Sequence, residues 1–66
     1  MGRKRKGRYI IEWWVSDHPP RHVHVFSSSG EFLGRVVLDS MKGLEPWTPP
    51  RELVGILREM LKRGEL

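Results

Sequence analysis

Asp17, His18, His22 and His24 bring a carboxylate and all three histidines of the chain into eight residues, with Arg21 between them. Imidazole exchanges protons near neutral pH, so a histidine beside a phosphodiester can act as general acid or base. In that chemistry Asp17, His18, His22 and His24 are the candidate catalytic residues, with Asp17 orienting a histidine and Arg21 binding phosphate. A metal-free ribonuclease-like activity needs little more than a base, an acid and cationic charge. The same residues suit a metal: His22-Val23-His24 is a His-x-His pair, and His18 or Asp17 can complete a site for a divalent transition metal. The plain structural alternative has Asp17 capping a turn that Pro19 and Pro20 stiffen, while the histidines line a polar sheet face.

Positioning these groups is the task of the elements around them. Tyr9-Ile-Ile-Glu-Trp-Trp-Val15 is rich in β-branched and aromatic residues without Gly or Pro, and reads as a strand. Its core-facing side is expected to carry Tyr9, Ile11, Trp13 and Val15. Trp14 then falls on the opposite face, where its indole is either covered by the loop that contains Trp47 or left to stack on a base or anchor a partner. The Pro19-Pro20 break precedes a second alternating segment, His22 to Phe26, which puts His22 and His24 on one face. Ser27 to Gly30 has hairpin-loop chemistry, and Phe32 to Asp39 makes a third strand in which Gly34 marks a bulge or a close backbone approach.

Residues 40–47 form a connecting loop whose Leu44 and Trp47 are expected to fold back onto the body. Thr48 is then read as a helix cap, with proline in the first turn. Leu53, Ile56, Leu57, Met60 and Leu61 recur at helical spacing, and Gly64 closes the helix. The expected fold is α+β: a three-stranded antiparallel sheet in the order β-β-β-α, with the C-terminal helix packed on one face, over residues 9–66.

Residues 1–8 stand apart as a basic, flexible arm. Arg3, Lys4, Arg5, Lys6 and Arg8 are five of the 12 Lys and Arg residues, and the seven others face eight acids, so the positive excess of a chain with net charge +4 sits in the arm. Together with Arg21, these are the candidate nucleic-acid-binding residues, because clustered cations release counterions from phosphates whatever the sequence. The chain has no cysteine, which excludes disulfides and thiolate metal sites. It has no apolar run near the roughly 18 residues that span a bilayer, nor the apolar core of a signal peptide, so a cytoplasmic protein without a membrane partner is expected.

Asp17-His18-Pro19-Pro20 followed by His22-Val23-His24 resembles the Asp-His-x-Pro-Pro-His-x-His signature of an uncharacterised family of short prokaryotic proteins, classed as a domain of unknown function. The likeness covers most of residues 9–63. Asp17, His18, Pro20, His22 and His24 match, while Arg21 stands at the second proline and the basic arm exceeds the family pattern. Members often accompany a small partner gene and are suspected toxin–antitoxin components. The resemblance thus implies a small cognate partner protein but brings no established activity.

Together these readings favour a small nucleic-acid-directed protein, RNA before duplex DNA, as the toxin-like member of a pair. The alternatives are a non-catalytic protein–protein interaction module or homodimer, and a histidine metal-binding domain.

Overall fold

The computed structural model describes residues 2–14, 21–44 and 46–66. Four strands and one helix follow one another: β1 (Gly2–Lys6), β2 (Tyr9–Trp13), β3 (His22–Ser27), β4 (Phe32–Val37) and α1 (Arg51–Lys62). The strands form one antiparallel sheet in the order β1-β2-β3-β4. The α+β class therefore stands, but the sheet has four strands and not the expected three.

The added strand is the basic segment itself, which was expected to be a flexible arm. Gly2 to Lys6 pairs along its length with Trp13 to Tyr9. Gly7 takes a φ of 59° at the first of the two turn residues between Lys6 and Tyr9, a conformation that costs glycine little. A segment so cationic holds a strand because its alternate residues find different partners. Lys4 stands beside Ile11 and Lys6 beside Tyr9 on the helix side of the sheet. From there both ammonium groups reach Glu65 beyond the end of α1, at 2.7 Å and 3.3 Å. The Trp13 indole lies where a side chain on Gly2 would stand, so glycine is required at that point.

One face of the sheet is closed by α1. Tyr9, Ile11, Val23, Val25, Val36 and Leu38 meet Leu53, Leu57 and Met60 in a single buried cluster. Trp13, expected in the core, is half-buried at its margin; Val15, expected beside it, lies outside the described residues. The helix begins at Arg51 with Pro50 at the N-cap position just before it, and among the described residues no side chain caps it. Thr48 is not the cap that its position suggested. Residues before proline are driven away from helical torsions, and Pro50 itself is extended, at ψ 149°, so the helical turn starts only after it. At the other end Gly64, at φ 72°, completes the turn as expected, with the Glu65 N–H donating to the Met60 carbonyl.

The third strand runs one residue further than expected, to Ser27, and the fourth stops at Val37 instead of Asp39. Val25 pairs with Gly34 and Phe26 with Phe32, leaving Leu33 as the extra residue of a bulge. Gly34 is also the close approach that its position implied: the Trp47 indole occupies the space a side chain would need. Trp47 folds back onto the body, whereas Leu44, expected to do the same, is 43% exposed. No described helix is long and apolar enough to cross a membrane.

Candidate nucleic-acid interface

The face of the sheet away from α1 is set by strand alternation. With Ile11, Val23 and Val25 turned to the core, Ile10, Glu12, His22, His24 and Phe26 must point outward. Cross-strand pairing arranges them in rows. Arg5, Ile10, Phe26 and Phe32 stand side by side across all four strands, and Arg3, Glu12, His24 and Arg35 form the next row. His22 opposite Val37 begins a third.

Five rings are linked on this surface. Phe26 and Phe32 meet edge to face at 5.5 Å between centroids, and His24 lies 6.2 Å from Phe32. His24 is tilted against His22 at 5.3 Å and stands at 4.6 Å, edge on, from the Trp14 indole. Such T-shaped and tilted contacts suit the ring quadrupoles and fix the rings relative to one another. Phe32 remains 52% exposed and Trp14 38% exposed, which leaves stacking area open to solvent.

No family model, curated protein or solved structure matches the chain. The site must therefore be read from its own geometry.

The structure brings His22 and His24 together on one face, as their spacing required. Asp17 and His18, the other two candidate catalytic residues, lie outside the described residues, so their convergence with the pair is outside what the structure describes. The same holds for a metal site built on His22, His24 and His18. Among the described residues no group of three possible ligands gathers.

The candidate phosphate-binding residues divide. Arg3 and Arg5 share the ring-bearing face, being paired with Glu12 and Ile10. Lys4 and Lys6 are on the helix side, bound to Glu65. Arg8, in the turn, lies 3.6 Å from Glu52 of α1. Arg3 Nε is 3.3 Å from Glu12 Oε2, whereas among the described residues Arg5 has no ion-pair partner. Arg21 is exposed just before β3. The basic segment is thus not a uniform cationic surface: it sends arginines to one face and lysines to the other.

Phe26, Phe32 and Arg35 belong to this surface, although composition and spacing did not single them out. Phe26 was legible from its alternation with His22 and His24. Phe32 joins the row only through the bulge at Leu33, and Arg35 only through its register opposite His24.

One further concavity, of about 500 Å³, lies between Met41–Gly43 and Trp47–Pro49, away from the rings. The Trp47 Nε1–H nearby is buried without a hydrogen-bond partner among the described residues. This nitrogen packs against Gly34 and Gly43, so the indole serves as a wedge between backbone segments.

Proposed function

We propose that the chain binds single-stranded RNA across the outer face of its sheet. The observation that carries this reading is the connected set Trp14, His22, His24, Phe26 and Phe32, flanked by Arg3, Arg5 and Arg35 on the face that the helix leaves open. Aromatic rings on a sheet stack against unpaired bases, and neighbouring guanidinium groups meet the phosphates between them. Bases in a duplex are already stacked and cannot use such a surface, which favours single strands over duplex DNA.

Fluorescence-anisotropy titration of a labelled octauridylate tests it. Stacking is worth about 1–3 kcal/mol per base, so Phe32→Ala should weaken binding about tenfold or more while leaving the fold intact. Contacts from Arg3, Arg5 and Arg35 imply a slope of log K against log salt near −2, at about −0.7 per phosphate on a single strand. Binding that ignores both Phe32→Ala and salt contradicts the proposal.

The toxin-like role in a two-gene module extends this reading through the Asp17–His24 resemblance. It needs RNA cleavage, with His22 or His24 as acid or base; loss of cleavage in His24→Ala at octauridylate concentrations that saturate the variant is the result it requires. A protein partner is the second reading, and the outer edge of β1 favours it. Among the described residues that edge is the unpaired side of a terminal strand. Pairing two copies there sets Arg3, Lys4, Arg5 and Lys6 against the same four cations, so an acidic partner strand fits it better than a homodimer.

A further inference from the structure

Glu12 is the single carboxylate in the four strands, and it stands in the middle of a surface otherwise built for a polyanion. A negative charge there repels phosphate, so its presence needs a reason. Its neighbours supply one. Arg3 across the β1 pairing holds Oε2 at 3.3 Å, which compensates the charge and fixes the side chain while leaving it 19% exposed. Opposite on β3 stands His24, whose ring meets the exposed Trp14 indole at 4.6 Å. The carboxylate thus shares a row with His24, one of the linked rings, which sets it next to the surface on which a base would stack.

We propose that Glu12 makes this face selective for guanine. The inference rests on the single-stranded RNA reading above. A carboxylate is an acceptor only, with two oxygens side by side. Guanine alone among the four RNA bases offers two adjacent donors, N1–H and N2–H, on its Watson–Crick edge. Adenine and cytosine present one amino donor next to a ring-nitrogen acceptor, and uracil presents one N–H between two carbonyl oxygens. Only guanine satisfies both carboxylate oxygens; every other base sets an acceptor against one of them, and an unpaired or repelled polar group is what gives hydrogen-bonding sites their selectivity. Arg3 remains beside the pair to carry the adjoining phosphate.

The test compares three octaribonucleotides by anisotropy: octauridylate, the same strand with one central guanosine, and the same strand with one central adenosine. A single guanosine avoids association between strands. The wild-type protein should bind the guanosine strand about tenfold more tightly than the adenosine strand, the discrimination of one good bidentate contact. Glu12→Gln replaces one acceptor oxygen by an amino donor, so it should bring the two strands within about twofold of each other and leave octauridylate binding unchanged or tighter. If wild type binds octauridylate but does not distinguish guanosine from adenosine, the selectivity is wrong and the RNA reading stands. If the preference survives in Glu12→Gln, the guanine is read elsewhere and the inference also fails. If none of the three strands binds, both fail.

Discussion

Glu65 joins the first strand to the end of the helix through two lysines 59 and 61 positions earlier in the chain. The Lys4 ammonium, donating a 2.7 Å hydrogen bond, holds the Glu65 carboxyl below its ordinary value; partial burial opposes this and Lys6 adds to it. A carboxyl whose pKa is lower in the folded than in the unfolded chain stabilises the fold above its unfolded pKa, and that contribution is lost as pH falls through the folded value. Urea unfolding followed from pH 7 downward should show wild type more stable than Glu65→Gln near neutrality. The gap should close below the ordinary carboxylate range; one that persists undiminished in acid contradicts this role for the carboxylate. Sequence spacing could not reveal such a pair. By contrast, the shared face of His22 and His24, and the outward side of Trp14, follow from alternation alone and are where the structure has them. The division of the basic segment into outward arginines and inward lysines follows from the same alternation, but only once that segment is known to be a strand.

The helix and the three strands from β2 onward were legible because their apolar residues recur with a single period and their breaks are proline or glycine. The first strand was not. Arg-Lys-Arg-Lys has no apolar alternation, and its pairing energy comes from β2, from Trp13 over Gly2 and from Glu65 at the far end of the chain. Within α1 one position departs from good helix chemistry: Gly55 is exposed, and a methyl group there meets nothing within 4 Å. Glycine in a helix interior costs about 0.5–1 kcal/mol against alanine, through backbone entropy. Gly55→Ala should therefore raise the melting temperature by about 2–8 °C in a domain of this size. A fall, measured by circular dichroism, would mean that the exposed side of α1 is packed against something.

At the scale of the molecule, one four-stranded sheet separates two unlike surfaces. The side under α1 carries the buried cluster that holds the chain together, and the other carries rings and guanidinium groups that this cluster does not use. The three tryptophans report on the two sides separately. Trp14 is on the ring-bearing face, while Trp13 and Trp47 pack against the core on the helix side. The most direct test of the account follows their indole N–H signals, with the ring protons of Phe26 and Phe32, by NMR as octauridylate is added to the labelled protein. The account predicts that Trp14, Phe26 and Phe32 shift together and saturate with one affinity while Trp13, Trp47 and the α1 amides stay in place. Shifts confined to Trp13, Trp47 or α1, or none at all at millimolar RNA, would contradict it.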